Sequence, residues 1–210
     1  MSEGEATARG RFQDMYATNA PPWDIGKPQP KFVEAAGRLS GSILDCGCGT
    51  GENALFFASK GHAVTGLDFL EAPIKAAQKK AADRGIKATF RVADALKLQD
   101  SSDQFGQFDN AIDSGLFHVF ADEDRARYVR GLTKVVRPGG RLMLMCFSDK
   151  TPGDQGPRRV SEAELRSAFA KGWEIETLEP ARFETRPDAR QAMFAGEDPH
   201  AWFLLARRSK

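Results

Sequence analysis

From residue 42 onward, short apolar runs alternate with longer amphipathic ones. Ser42–Cys46 (SILDC), Ala63–Leu67 (AVTGL), Ala88–Val92 (ATFRV), Phe108–Asp113 (FDNAID) and Arg141–Phe147 (RLMLMCF) read as strands, short and apolar with turn-forming residues nearby. Between them, Glu52–Lys60, Ala72–Arg84 and Asp122–Arg137 are predicted helices. The first stops at Gly61. The second has Pro73 in its first turn and Gly85 past its end. The third puts Tyr128, Val129, Leu132, Val135 and Val136 on one face and ends at Pro138-Gly139-Gly140. Strands alternating with helices imply βαβ units and a mainly parallel sheet.

The flanks read differently. A polar start leads into Pro21-Pro22-Trp23-Asp24-Ile25-Gly26-Lys27-Pro28-Gln29-Pro30, a stiff extended loop because each X-Pro step disfavours helix. A helix is expected from about Lys31 to Leu39. After Asp149, residues 151–159 form a Pro/Gly loop, and Ser161-x-x-Glu164 is a capping box opening a short helix to Ala170. Trp173–Leu178 and Ala201–Ala206 then complete the sheet as strands.

Composition narrows the classes. The chain has 210 residues, 41% of them apolar and 28% charged, which suits one soluble globular domain. A formal charge of +1 gives no global field toward nucleic acid or an anionic membrane. Three cysteines, Cys46, Cys48 and Cys146, make no disulfide framework. Cys46-x-Cys48 has no second pair at zinc spacing, and His62, His118 and His200 are scattered, so no metal is expected. Met1 to Arg11 has no apolar h-region and no run suits a membrane span, which points to the cytoplasm. Arg125, Arg127, Arg130, Lys134 and Arg137 share a helix with Asp122, Glu123 and Asp124 and read as a solvated face.

The chemistry concentrates at Ile43-Leu44-Asp45-Cys46-Gly47-Cys48-Gly49-Thr50-Gly51-Glu52. A strand runs into a Gly-x-Gly-x-Gly turn and then a helix. A ligand across the strand's carboxyl end touches backbone only where no Cβ intervenes. A dinucleotide site wants Gly-x-Gly-x-x-Gly. Here Glu52 stands at the helix start, unsuited to a pyrophosphate and suited to a cationic ligand, as is Asp45. Asp68, Asp94 and Asp113 close later strands on the same sheet edge. Each alone reads as a turn or helix cap; four together read as a ligand site.

Asp45 to Gly51, Asp68, Ala93-Asp94-Ala95, Phe108 to Asp113 and Val136-Arg137-Pro138-Gly139-Gly140-Arg141-Leu142 resemble the successive motifs of the class I S-adenosylmethionine (SAM)-dependent methyltransferases. The resemblance implies an α/β, Rossmann-like fold with a seven-stranded, mostly parallel sheet, its last strand antiparallel, and helices on both faces. It implies one methyltransferase domain: residues 1–40 as an N-terminal lid, 41–150 as the SAM-binding core and 151–210 completing the sheet. By the same resemblance Asp45, Gly47 and Gly49 hold the methionyl part of SAM, Asp68 the ribose, and Phe69 flanks the adenine. Asp94 and Ala95 meet the adenine edge, and the backbone at Asp113 and Ser114 underlies the methionyl chain.

Pro22-Trp23-Asp24-x-Gly26-x-Pro28-x-Pro30, with Asp113 to Phe120 and Cys146-Phe147-Ser148-Asp149, resembles the thiol, thiopurine and heterocyclic-toxin methyltransferase-like group. That implies methyl transfer to a small-molecule acceptor, a thiol or an aromatic S, N or O atom, leaving S-adenosyl-L-homocysteine. No nucleic-acid or membrane partner is expected, and the chain would be a monomer or homodimer. Trp23 reads either as a cation–π face for the sulfonium or as a buried anchor of its loop. His118 reads either as the general base or as a packed structural residue, with Tyr16 a weaker base candidate. Phe12, Phe117, Phe120 and Phe147 are candidates for an apolar acceptor pocket. A SAM-binding regulator, an inactive subunit, and a methyltransferase acting on a macromolecule are the other readings.

Overall fold

The computed structural model describes residues 10, 12–18, 21–100, 105–153 and 156–210. After a helical stretch over 12–17, the elements are α1 (Pro30–Ala35), β1 (Ser42–Cys46), α2 (Glu52–Ser59), β2 (Ala63–Asp68), α3 (Glu71–Asp83), β3 (Thr89–Val92) and β4 (Phe108–Ser114). Then come α4 (Asp122–Val135), β5 (Val136–Phe147), α5 (Glu162–Ala168), β6 (Trp173–Arg182), α6 (Pro187–Phe194) and β7 (His200–Arg208). The seven strands form one sheet in the order β3-β2-β1-β4-β5-β7-β6. β1 to β5 pair in parallel, and β7 inserts antiparallel between β5 and β6.

The strand order reverses between β1 and β4, which puts the fold's crevice at their carboxyl ends. The sheet is covered on both faces. Along β5, Leu142, Leu144 and Cys146 enter one apolar cluster while Met143, Met145 and Phe147 enter the other. This is the two-residue period of a strand with both faces buried.

Several boundaries depart from expectation. The Lys31–Leu39 helix is α1 followed by a 3₁₀ turn over Ala36–Arg38. α4 stops at Val135, and Val136 already pairs with Phe108. The cause is Pro138: it disfavours helical backbone at Arg137 and cannot donate an N–H. The register then slips before Asn110 pairs with Arg141. The capping box forms as read: Glu164 N–H donates to Ser161 Oγ, and Ser161 N–H to the Glu164 carboxylate. α6 is absent from the expected elements; Pro187 opens it, and Phe194 is its one buried residue.

Candidate active site

Asp45, the fourth residue of β1, is buried. One oxygen, Oδ2, has no hydrogen-bond partner among the described residues. Burial pushes its pKa up to about 8, helped by the charge of Asp113, while the N–H of Ala54 in α2 pulls the other way. A buried oxygen without a donor is costly, so this one is poised for a ligand that brings its own.

The glycine turn follows. Cys48 N–H donates to Leu67 O at 2.8 Å and Gly49 N–H to Asp68 Oδ2 at 3.1 Å, tying the turn to the end of β2. Gly49 has φ +53°, and a Cβ there would stand 2.9 Å from the Tyr16 hydroxyl. Gly51 serves a different purpose. A Cβ there would stand 2.9 Å from Ala77 Cβ and 3.0 Å from the Phe90 ring, so its smallness lets α2 pack on α3 and β3.

The other carboxylates divide by what they touch. Asp68 is nearly buried and accepts from Gly49 and Leu70 N–H groups; burial raises its pKa. Phe69 beside it meets Phe12 edge-on at 5.9 Å. Asp94 is exposed and caps the 3₁₀ turn Ala95–Lys97 through Leu96 N–H at 2.9 Å; Ala95 is buried. Asp113 turns its side chain inward, so only its backbone lies at the edge. Its side chain is sealed and accepts from Leu116 N–H, Phe117 N–H and the Tyr128 hydroxyl, at 2.8, 3.1 and 2.9 Å. Burial pushes its pKa up to about 7 against the pull of these donors. Only the backbone at Asp113 and Ser114 is left for the crevice.

Two further expectations are corrected. Glu52 does not face a ligand. Arg84 grips it with two bonds of 2.8 and 2.9 Å and Lys80 adds one of 2.8 Å, binding α2 to α3. Arg125 does not join a solvated face. It is buried, lies over the Phe117 ring at 4.9 Å and donates to Phe117 O and Glu164.

The N-terminal segment lies over the turn. Trp23 Nε1 donates to the Tyr16 hydroxyl at 3.2 Å, and Phe12 meets Trp23 edge-on at 5.5 Å. Trp23 is 36% exposed, so it is no buried anchor. Desolvation and the Asp68 charge hold the Tyr16 hydroxyl far above the usual phenol range. Thr50 Oγ1 donates to Asp24 at 2.8 Å, fixing this segment to the glycine turn.

His118 sits in a 3₁₀ turn after β4, its ring 4.9 Å from that of Phe147 and 6.0 Å from that of Phe183. Its Nδ1 accepts the Phe147 N–H at 2.9 Å. Burial, Arg125 and Arg159 push its pKa down to about 3. The neutral ring therefore carries its proton on Nε2 and has no lone pair to spare. This geometry is at odds with the expected general base.

The methyltransferase domain family matches residues 43–140. Over 96% of its length the chain is 35% identical to the 2-heptyl-1-hydroxyquinolin-4(1H)-one methyltransferase of Mycobacteroides abscessus, covering 92% of that protein. It is 29% identical to a probable thiol methyltransferase of Arabidopsis thaliana over 80% of its length and 74% of that protein. A structure determined for the conversion of a disulfide bond into a thioacetal group during echinomycin biosynthesis superposes with a TM-score of 0.77. It shares 37% identity, covering 90% of this chain and 85% of that one. The buried, unpartnered Asp45 oxygen fits a ligand that carries an ammonium group. The chain belongs to the class I SAM-dependent methyltransferases, with S-adenosyl-L-methionine as its cofactor.

Proposed function

We propose that this enzyme methylates a small planar acceptor at an aromatic heteroatom or thiol. One observation carries the reading: an aromatic cluster around Gly115, just past the carboxyl end of β4. His118 Nε2 and Phe183 Cζ stand 3.4 and 3.7 Å from where a Gly115 Cβ would be, and the Phe147 ring lies 4.9 Å from His118. The relatives named for a hydroxyquinolone and for thiols support it.

SAM supplies a methyl group on a sulfonium, a leaving group that needs no activation. The protein's part is to align, desolvate and exclude water. In this reading Asp45 takes the ammonium of the methionyl part, which rests on backbone at Gly47, Gly49, Asp113 and Ser114. Asp68 takes the ribose hydroxyls, giving up its bonds to Gly49 and Leu70 in part. Phe69 flanks the adenine, and Asp94 and Ala95 meet its edge. Trp23, Tyr16 and Phe12 cover the site, with the Trp23 face toward the sulfonium. We read residues 1–40 as the lid of a single domain that works in the cytoplasm as a monomer or homodimer. Among the described residues no helix is long and apolar enough to cross a membrane.

Methyl-labelled SAM offered with thiols, phenols, quinols, hydroxyquinolones and aromatic amines tests this. Label on one small-acceptor class is the expected result. Preference for RNA, DNA or protein over every small acceptor overturns it.

A further inference from the structure

The backbone decides which proton His118 carries, and that bears on the acceptor. Phe147 N–H occupies Nδ1. Nε2 lies beside Gly115, 3.4 Å from where a Cβ there would stand. Nε2 makes no hydrogen bond among the described residues, yet it is not sealed. The only side-chain atoms there that are both buried and unpartnered are Asp45 Oδ2 and Arg125 Nη2. An unpartnered donor, not fully buried, thus lies among the rings around Gly115.

We propose that His118 is a neutral hydrogen-bond donor whose Nε2–H holds an acceptor heteroatom that arrives already ionised, so that the enzyme selects acidic acceptors and removes no proton itself. This rests on the small-acceptor reading above. The charged groups facing His118 are the guanidiniums of Arg125 from α4 and Arg159 from the loop before α5. From β5 and from the residue after β6 it meets only the rings of Phe147 and Phe183. Both cations disfavour imidazolium and favour an anion beside Nε2.

The nearby groups able to act as a base are otherwise engaged. Asp113 is sealed behind three donors. Asp45 and Asp68 are taken by the ammonium and the ribose of SAM in the reading above, and Tyr16 stays a phenol. In the transfer, the acceptor anion's lone pair forms the bond to the methyl carbon. The carbon–sulfur bond breaks and its electron pair returns to sulfur. The sulfonium's positive charge and the acceptor's negative charge disappear together, and no proton moves to the protein. Acceptors that are neutral at neutral pH, such as unactivated phenols, are poor substrates on this account.

The chain has three histidines, so ¹⁵N spectra of histidine-labelled protein are simple to assign by substitution. The expected His118 signal is a neutral ring protonated at Nε2, unchanged between about pH 5.5 and 8. Adding 2-heptyl-1-hydroxyquinolin-4(1H)-one to the complex with S-adenosyl-L-homocysteine should move the Nε2–H resonance, whether or not methyl is transferred with SAM. A ring that charges in that range, an Nδ1–H tautomer, or no movement on adding the probe overturns the proposal. Two variants then separate donor from scaffold. In His118→Gln the amide reaches the Nε2 position but abandons Phe147. In His118→Asn the carbonyl keeps the Phe147 bond but loses the donor. On the hydroxyquinolone, His118→Asn should lose about tenfold or more in kcat/KM and His118→Gln about threefold or less, with SAM affinity kept in both. The reverse order makes His118 a scaffold only. Wild-type protein inert toward every small acceptor, with the resonance still moving, counts against the acceptor reading and leaves the donor assignment standing.

Discussion

Asp45 and Asp113 are both buried carboxyls at the crevice, and their surroundings give them opposite work. Asp113 is saturated with donors; Asp45 keeps one bare oxygen. With a pKa of about 8, Asp45 holds its proton at neutral pH until a cation arrives. A bound ammonium lowers that pKa, so SAM binding at pH 7 should release up to roughly one proton and strengthen as pH rises from about 6 to 7.5. Calorimetry in two buffers of different ionisation enthalpy reads the proton directly. Asp45→Asn should abolish the release and weaken SAM about 10- to 100-fold. It should leave the melting point of the unliganded protein nearly unchanged, since an amide replaces an uncharged acid. Tyr128→Phe should do the converse. It leaves Asp113 a donor short and should cost about 1–3 kcal/mol by chemical denaturation, with SAM affinity kept within about twofold. These roles were only half legible in the sequence. The spacing placed four acids at strand ends, but whether a carboxylate faces the crevice or the core depends on partners such as Tyr128, fifteen residues away.

At the scale of elements, the glycine turn is held from both sides. Gly49 is tied to β2, and α2 is clamped to α3 by Glu52 with Lys80 and Arg84. Burial pushes the Glu52 pKa up, but the bonds from Arg84 and Lys80 outweigh it and the net shift is downward. The sign follows: a depressed carboxylate pKa stabilises the fold above the unfolded value of about 4.3 and loses that contribution as pH falls through the folded value. Glu52→Gln should therefore lower stability by about 1–2 kcal/mol at neutral pH, less at high salt because Arg84 is 42% exposed. Thermal melts should fall about 2–4 °C for each kcal/mol lost, while SAM affinity stays within about twofold. A large loss of SAM affinity would mean that Glu52 faces the ligand after all. The alternation of apolar runs was enough to read β1 to β5 and α2 to α4. It could not show that Glu52 turns sideways, because helix α3 supplies its partners some thirty residues on. α6 is not legible in the sequence because a helix that buries one phenylalanine has no apolar stripe.

Across the whole molecule, the N-terminal segment is attached in two ways. Near Gln29 the attachment is polar, half-buried and reciprocal: Gln29 Nε2–H donates to Glu184 O, Glu184 N–H donates to Gln29 Oε1, and Gln29 N–H donates to Asn53 Oδ1, each at 3.0 Å. Arg186 N–H adds a bond to Pro22 O. This joins the chain before α1 to α2 on one side and to the β6–α6 turn on the other. Over residues 12–18 the attachment is by rings: Phe12 on Phe69 and Trp23, and Tyr16 on Trp23 above Gly49. In the proposed lid, the first kind of contact is the pivot and the second is the cover that lifts. The two regions should respond oppositely to substitution. Gln29→Ala leaves a half-buried carbonyl and N–H of Glu184 without their partner and should cost about 1–2 kcal/mol, lowering the melting point with and without SAM. The double variant Phe12→Ala, Tyr16→Ala should melt within about 2 °C of the parent, since both side chains are partly exposed. It should nevertheless release SAM about tenfold faster in stopped-flow displacement, because the covering rings are gone. If the double variant instead melts far below the parent with unchanged SAM release, the aromatic segment is part of the core and does not act as a cover.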